Sequence, residues 1–283
     1  MNAKCIDAVR RLGVLHRGVL HDYLQAHELL TAPLYGNLLA AGLWNDWRKL
    51  RCGGYTGAFR EGRLEGVMAA FNDGNLMVHA AQPRALSDLA DRLPALPFHT
   101  VWGLGCGGEV EEMVEDLPLR YEVVHHLMLQ QPRACERSTP ALTFARADGH
   151  ALDEDTLRFM ECCLETCFGF TTARDVIAQR MKERMPEEAF FVASNGAGPV
   201  AQAHIQAWTP HYGYVGGVAT LPAYQGQGYA RAVMQHICRY IRSMGRIPTL
   251  TVKADNEAAL RLYQSMGFET CGKVTVLDCH WLT

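Results

Sequence analysis

A glycine-rich turn, QGQGYAR at residues 225–231, has the composition of an anion-binding site. Gly226 and Gly228 remove side chains where the chain turns into a helix, which leaves a row of main-chain N–H groups pointing outward. Because a helix start carries about half a positive charge, phosphate is the natural occupant of such a row. The turn lacks the lysine and the Ser or Thr of a nucleotide-triphosphate loop, and its spacing does not fit a dinucleotide fingerprint. A close-packed turn that binds nothing is the alternative.

The segment around this turn carries no carboxylate. Residues 189–254 contain no Asp or Glu, although the chain has 30 of them in 283 residues. The helix predicted after the turn adds the positive charges of Arg231, Arg239 and Arg242, and its apolar face predicts packing against a sheet. An anion would therefore meet no negative charge from this segment.

The turn and a second motif downstream resemble the GNAT superfamily of N-acetyltransferases. The pyrophosphate loop of that family is matched by Gln225, Gly228 and Ala230, and its Asn, A-x-x-L-Y and G-F pattern is matched by NEAALRLYQSMGF at 256–268. The resemblance covers residues 141–283 with both motifs. Two motifs in this order are more specific than either alone.

By resemblance, the cofactor is acetyl-CoA. The amides of residues 226–231 would hold its pyrophosphate, and the main chain of residues 218–220 would pair with its pantetheine arm like an added strand. Gly216 and Gly217 predict a β-bulge that opens this strand for the arm. The resemblance thus implies these cofactor-binding residues: Val218, Ala219, Thr220, Gln225, Gly226, Gln227, Gly228, Tyr229, Ala230, Arg231 and Asn256.

The resemblance also implies transfer of an acetyl group to an amine by direct attack. Tyr263, in the A-x-x-L-Y position, would be the general acid that protonates the leaving thiolate, and a packed helical aromatic is the alternative for this residue. The acceptor, a small-molecule or peptide amine, stays open. A CoA-binding sensor or scaffold without chemistry, and an acyltransferase with a bulkier acyl donor, are the alternative functions.

The group that accepts the proton of the amine is harder to assign. The glutamate base of many GNAT enzymes cannot be present on the central strands, since residues 189–254 have no carboxylate. His204 on a predicted strand, and His211 or Tyr212 in the loop after it, could accept the proton or order a water that does. His204 alternates with apolar neighbours and could equally be a core histidine. The remaining acids that could face the amine are Glu161, Glu165 and Asp175.

The elements that must position these residues occur twice in one order. The second half has predicted strands at 190–194, 200–208 and 214–220, a helix at 229–244, a strand at 249–255 and a helix at 257–267. The first half has strands at 55–60, 64–71 and 76–82, followed by a helix, a strand, a helix and a strand. Helix-like sequence opens each half, at residues 4–42 and 152–185. The repeated order predicts two similar domains.

The sequence therefore predicts an α/β fold with a mixed sheet and two tandem GNAT-like domains, at residues 1–137 and 138–283. The stretch 130–142, rich in proline and small polar residues, predicts the linker. The first domain is predicted to be degenerate, because PRALSD at 83–88 stands where the phosphate loop would be. A single domain whose strand runs merely look alike is the alternative.

Composition limits the expected partners. The net charge of −3 argues against nucleic acid, and no segment approaches the ~20 apolar residues that span a membrane, so we expect a cytoplasmic protein that binds neither. The ten cysteines form no C-x-x-C pair, which predicts free thiols and no metal site. We expect a monomer or a homodimer.

Overall fold

The structure is a computed structural model that describes residues 8–93, 98–106, 109–113, 119–132, 139–147, 149–150, 152–169, 171–184 and 188–279. Its mixture of helices with parallel and antiparallel strands confirms the predicted α/β fold class. None of the helices in these ranges has the length and apolar character needed to span a bilayer.

The helices and strands follow the chain in an alternating order. The helices are α1 (Arg17–Ala26), α2 (Ala32–Ala41), α3 (Pro83–Ala90), α4 (Glu109–Glu112), α5 (Glu154–Cys163), α6 (Arg174–Lys182), α7 (Tyr229–Ser243) and α8 (Glu257–Gln264). The strands are β1 (Ala8–Arg11), β2 (Gly53–Arg60), β3 (Arg63–Phe71), β4 (Asn75–Ala80), β5 (Thr100–Leu104), β6 (Leu119–Gln130), β7 (Thr143–Ala147), β8 (Phe190–Asn195), β9 (Gly198–Trp208), β10 (Tyr212–Thr220), β11 (Ile247–Lys253) and β12 (Phe268–Cys279). Short 3-10 turns occur at Val14–His16 and Pro222–Tyr224, and a π-helical turn at Leu164–Phe168.

The chain forms two compact units. Unit 1 comprises Met1–Met128, Thr251–Leu260 and Thr270–Thr283, and unit 2 comprises Leu129–Leu250 and Arg261–Glu269. The two units are defined by which residues pack together. The predicted boundary between residues 137 and 138 is instead defined by where the repeated order of elements begins again along the chain. That division lies outside the described residues and stays a prediction.

Unit 1 is built on a sheet with the strand order β1-β2-β3-β4-β5-β12-β6. Helices α1 and α2 cover one face of it, with Leu20, Leu24 and Leu34 fully buried. Helix α3 covers the other face through Leu86 and Leu89. Each face therefore has its own apolar core, as expected for a sheet buried on both sides.

Strand β12 takes part in the sheet of unit 1, although it belongs to the second half of the sequence. It runs antiparallel to β5, with Val274 opposite Leu104 and Asp278 opposite Thr100. The alternation of apolar residues in this strand predicts a strand but does not specify its neighbour, because pairing partners are set by long-range packing.

Unit 2 is built on a sheet with the strand order β11-β10-β9-β8-β7. Strand β10 runs parallel to β11 and antiparallel to β9. Helix α7 packs on β8, β9 and β10 and buries one apolar face, which includes Val233, Ile237 and Ile241. Helices α5 and α6 form a second cluster with Phe190 and Val192 of β8.

Strand β7 has no counterpart in the prediction from sequence, and β1 lies within residues 4–42, where the prediction of helix is wrong for Ala8–Arg11. Both are short, both lie at the end of a strand order, and both contain arginine: AVRR in β1 and TFARA in β7. Short edge strands with charged side chains protect a sheet from pairing with other chains. The same charges remove the apolar alternation by which a strand is recognised in a sequence.

Candidate active site

The glycine-rich turn forms the start of helix α7. Gly226 and Gly228 both have left-handed backbone angles, with φ of 75° and 84°, which glycine adopts without strain. Gly228 precedes the first residue of the helix, and its carbonyl accepts the hydrogen bond of the Ala232 N–H at 3.0 Å. The main-chain N–H groups of residues 226–230 have no hydrogen-bond partner within the described residues. They are free to bind an anion.

The turn also lies against a proline of its own unit. A β-carbon added to Gly228 would lie 3.2 Å from Cδ of Pro140. A β-carbon at Gly226 would meet no atom within 4 Å. Gly228 is therefore constrained by both its backbone angle and its surroundings.

Strand β10 carries the bulge that its two glycines predict. Gly216 pairs with His204 and Ala219 pairs with Gln202, so two residues of β10 stand opposite one residue of β9 between these pairs. The parallel pairing of β10 with β11 runs from Tyr212 to Val215 and ends there. The main chain of β10 beyond Val215 is thus released from its parallel neighbour at the point where the bulge begins.

His204 lies beside the bulge. Its ring stacks on Phe190 of β8 with centroids 5.1 Å apart and an interplanar angle of 15°. A β-carbon on Gly217 would overlap the imidazole, and one on Gly216 would lie 3.3 Å from its Nε2 atom. The glycines therefore make room for the histidine, and the side chain of His204 is partly exposed.

A buried glutamine that the sequence analysis did not single out also reaches the bulge. Gln202 is 3% exposed, and its Nε2 atom donates to the carbonyl of Gly217 at 3.3 Å. Its Oε1 atom is buried and has no partner within the described part of the chain. In β9 the polar Gln202, His204 and Gln206 alternate with apolar residues, so they share one face of the strand. That alternation is the signal by which the sequence could have indicated Gln202.

The end of β10 is tied to the glycine-rich turn. The carbonyl of Thr220 accepts a hydrogen bond from Nε2 of Gln225 at 3.2 Å and another from the thiol of Cys167 at 3.4 Å. The side chain of Gln225 thus fixes the turn to the strand. Cys167 lies in the π-helical turn, a conformation that often occurs at functional sites.

Tyr263 is buried on helix α8. Its side chain is 6% exposed and its ring lies 5.8 Å from that of Phe268. Burial, with a smaller contribution from the Cys238 thiol, raises the pKa of the Tyr263 phenol. The hydroxyl therefore keeps its proton at neutral pH, as a general acid must before it acts.

Asn256 and Arg231 have defined structural roles. The Oδ1 atom of Asn256 accepts from the N–H of Ala259 at 3.1 Å, so this side chain caps helix α8. The guanidinium of Arg231 donates to Oγ of Ser265 at 2.6 Å, which fastens α7 to the end of α8. The predicted contacts of both residues with a cofactor stay predictions.

The contacts of the other candidates for the base do not place them at the bulge. His211 immediately precedes β10, five residues before Gly216 and therefore about 16 Å away along an extended strand. Glu161 accepts a hydrogen bond from Nε of Arg174 at 2.6 Å, and Asp175 accepts from the N–H of Val176 at 2.9 Å.

Tyr212 and Glu165 are the two further candidates for the base. Tyr212 is the first residue of β10 and pairs with Ile247, at the end of the strand opposite to the glycine-rich turn. Glu165 lies in the π-helical turn, where its carbonyl accepts from Gly169. Among the predicted bases, His204 is placed at the bulge by its approach to Gly216 and Gly217.

No cluster of three or more His, Cys, Asp or Glu side chains in the described ranges could hold a metal ion. The described cysteine side chains are free thiols: Cys52, Cys106, Cys162, Cys163, Cys167, Cys238 and Cys271. Cys5 and Cys135, which the sequence analysis also counts, lie outside the described residues.

Comparison with known proteins identifies the family of the segment that carries these residues. Residues 154–268 match the family model of the acetyltransferase (GNAT) family. The N-alpha-acetyltransferase RimI of Mycobacterium tuberculosis is 36% identical over 90 residues, which cover 31% of this chain and 56% of RimI. A mycothiol acetyltransferase of Nocardiopsis dassonvillei is 33% identical over 114 residues, which cover 35% of this chain and 33% of that enzyme. The chain thus spans between a third and about half of these relatives' lengths.

The fold has solved counterparts over nearly the whole chain. One is a tandem GNAT protein from the clavulanic acid biosynthesis pathway, which aligns with a TM-score of 0.55 and 12% sequence identity. The alignment covers 95% of this chain and 97% of that protein. At this identity the likeness shows the fold alone. Residues 154–268 therefore form a domain of the acetyltransferase (GNAT) family, and the chain has the tandem GNAT fold.

Proposed function

We propose that the protein is an acetyl-CoA-dependent N-acetyltransferase that transfers an acetyl group to an amine by direct attack. One observation carries the proposal: the N–H groups of residues 226–230, which have no hydrogen-bond partner in the described part of the chain, follow a strand whose pairing with β11 ends at Val215. A diphosphate attached to a long amide-containing arm fits this combination. The diphosphate needs hydrogen-bond donors, and the amides of the arm need a strand edge that is not paired with another strand. The similarity to two proteins named acetyltransferases supports the same chemistry.

The residues present fit the cofactor. The amides of residues 226–231 would bind the diphosphate, with the positive end of the α7 dipole behind them. The main chain of residues 218–220 would bind the arm as an added strand. Gln225 holds these two parts together through its hydrogen bond to Thr220. Acetyl-CoA, when bound, supplies an activated acetyl thioester.

Tyr263 would supply the proton that the departing thiolate needs. A thiol has an ordinary pKa of about 8.5, below the raised pKa of the buried phenol, so the phenol donates its proton only to a thiolate in direct hydrogen-bond contact. We therefore assign to Tyr263 the general acid role and no role in binding.

His204 would accept the proton of the amine, directly or through water. It is held beside the bulge by Phe190 and by the two glycines of β10, and Gln202 adds a buried amide on the same face. We assign no catalytic role to His211, since it lies at the opposite end of β10.

Release of free CoA thiol from acetyl-CoA, measured while amines are added one class at a time, tests this proposal. Thiol release that needs both the protein and an amine supports acetyl transfer. Tight CoA binding without thiol release for any amine would make the protein a CoA-binding scaffold. Faster release of free thiol from longer acyl-CoAs than from acetyl-CoA would identify a longer acyl-CoA as the donor.

A further inference from the structure

One end of the α1–α2 hairpin exposes an unusual amount of apolar surface. Among the described residues, large apolar side chains that are exposed occur at eight positions, and six of them lie between residues 14 and 47. Leu15 is 97% exposed, Trp44 79% and Trp47 80%. The six are Val14, Leu15, Val19, Leu39, Trp44 and Trp47, and we call them the apolar end of unit 1.

The six residues lie in or beside helices α1 and α2. Helices α1 and α2 are joined by a short connection and packed side by side, so they run antiparallel. The hydroxyl of Tyr35, in the first turn of α2, lies 2.8 Å from Nε2 of His21 in the middle of α1, so the two helices are in contact. Val14 and Leu15 come just before α1, and the two tryptophans follow α2. The six side chains thus lie in the first turn of α1, in the last turn of α2 and in the segments that adjoin these two turns.

The loop that carries the tryptophans has a fixed conformation. The Nδ2 atom of Asn72 donates to Oδ1 of Asn45 and to the carbonyls of Asp46 and Lys49, at 2.8 to 2.9 Å. Arg48 donates to Asp46 at 2.9 Å. The indoles of Trp44 and Trp47 therefore stand outside a loop that is held by its polar groups, and their exposure does not result from a lack of local structure.

The apolar end is also strongly basic. Residues 10–19 and 43–51 contain six basic side chains and one acidic side chain, a net charge of +5 in a chain whose net charge is −3. Arg10, Arg11, Arg17, Arg48 and Lys49 are exposed. Such a surface favours a partner that is both anionic and able to take up apolar side chains.

We propose that the apolar end of unit 1 docks on an anionic lipid surface. Tryptophan favours the headgroup region of a bilayer, aliphatic side chains insert below it, and lysine and arginine are attracted by anionic headgroups. The contact is peripheral and needs no spanning helix. The expectation that the protein binds no membrane rested on the absence of a segment of ~20 apolar residues, a criterion that detects spanning helices and not surface contacts.

Two other occupants fit this surface less well. A second copy of the chain docked through the same surface would bring two charges of +5 together. Nucleic acid would suit the cations and the indoles, but Val14, Leu15, Val19 and Leu39 offer no ring on which a base can stack.

Co-sedimentation of the full chain with vesicles tests the proposal. We expect binding to phosphatidylcholine vesicles that contain phosphatidylglycerol, little binding to phosphatidylcholine alone, and weakening of the binding by salt. The tryptophan emission should shift to the blue on binding. Absence of binding to the anionic vesicles, or equal binding to both, would overturn the proposal.

Matched variants distinguish binding through this surface from nonspecific binding to vesicles. Trp44→Ser with Trp47→Ser should abolish the binding, and Arg17→Glu with Lys49→Glu should lower it about tenfold or more. Met244→Ser with Ile247→Ser removes two exposed apolar side chains from unit 2 and should leave vesicle binding unchanged. Thermal unfolding midpoints verify that all three variants are folded. A loss in the control pair equal to that in the tryptophan pair would contradict the proposal.

The remaining outcomes point to the other occupants. Binding of a single-stranded RNA oligonucleotide that the tryptophan pair abolishes, without any vesicle binding, would assign the surface to nucleic acid. A concentration-dependent dimer that the tryptophan pair dissociates would assign it to a second copy. Both results are independent of acetyl transfer, because none of the substituted residues belongs to the candidate active site.

Discussion

His204 faces Gly216 across strands β9 and β10, and its imidazole occupies the space that a side chain on Gly217 would need. The pairing of β10 with β11 ends one residue earlier, at Val215. An ionisable side chain and a length of main chain that is no longer paired with β11 therefore occur together. This is the arrangement that a transfer from a strand-bound cofactor to a neighbouring amine requires.

Substitution of Gly228 by valine should abolish CoA binding. The left-handed backbone costs a β-branched residue about 1–3 kcal/mol, and the side chain would press on Pro140, so the row of donors would be displaced. Calorimetric titration with CoA should show affinity lowered by about tenfold or more.

Gly245→Val is the matched control for this variant. Gly245 has a similar φ of 73° at the other end of α7 and meets no neighbour within 4 Å. It should bind CoA like the wild type, although it is strained to a similar extent. CoA binding retained by Gly228→Val would contradict the assignment of the phosphate site.

Removal of the Tyr263 hydroxyl should slow turnover and leave cofactor binding intact. General acid catalysis contributes about 10²–10⁴ in rate, so Tyr263→Phe should lower kcat by that order while the affinity for CoA stays the same. Tyr55→Phe, which removes a buried hydroxyl from unit 1, should leave kcat unchanged. Equal effects of the two variants would reduce Tyr263 to a packing residue.

Acceptor amines of low basicity should be preferred. The strands of the site carry no carboxylate, and a histidine has an ordinary pKa of about 6.5, so it removes a proton from a strongly basic ammonium only with difficulty. At neutral pH about one α-amine in ten is uncharged, against about one alkylamine in two thousand. We expect kcat/KM to favour α-amines about a hundredfold and to rise with pH for alkylamines.

The role of His204 is separable from this preference. His204→Gln should lower kcat/KM near neutral pH, with partial recovery as the pH approaches the pKa of the amine. His236→Gln is the matched control, because His236 also stacks on a phenylalanine ring, that of Phe144 at 4.1 Å, but lies on helix α7. A flat response of His204→Gln across pH would exclude His204 as the base.

Unit 1 should lose stability in mild acid because of His79. This side chain is 2% exposed and lies 2.7 Å from the hydroxyl of Tyr23. Burial, with a contribution from His27, lowers the pKa of His79 to about 4. The unfolded chain binds the proton near pH 6.5, so the stabilisation is complete above that pH and is lost as the pH falls towards 4.

The expected loss between about pH 7.5 and about pH 5 is about 2 kcal/mol of unfolding free energy. Urea unfolding at the two pH values measures it. His79→Gln should flatten the dependence, whereas His211→Gln, which removes an exposed histidine, should not. An unchanged pH dependence in His79→Gln would show that other groups cause the loss.

The sequence predicts the glycine-rich turn and the bulge because few other residues can replace glycine at these positions. Gly226, Gly228 and Gly217 all have positive φ, a conformation that other residues adopt only with strain. A positive φ of this kind can be predicted from the sequence without knowing which residues lie nearby in the fold. The order of strands and helices in each half follows from apolar periodicity in the same way.

The placement of other residues depends on distant contacts and could not be predicted. Strand β12 pairs with β5, which lies some 170 positions earlier in the chain, and nothing in either strand specifies that partner. The hydrogen bond from Arg174 to Glu161 depends on how α5 packs against α6. Gln202 is seen to reach the bulge only when the register between β9 and β10 is known.

Hydrogen–deuterium exchange of the amides of residues 226–230, with and without CoA, tests the central claim most directly. In the free protein these N–H groups have no partner within the described residues and should exchange rapidly. Saturating CoA should protect them more strongly than any other segment of unit 2. Protection confined to another segment, with CoA bound and residues 226–230 still exchanging rapidly, would contradict the account.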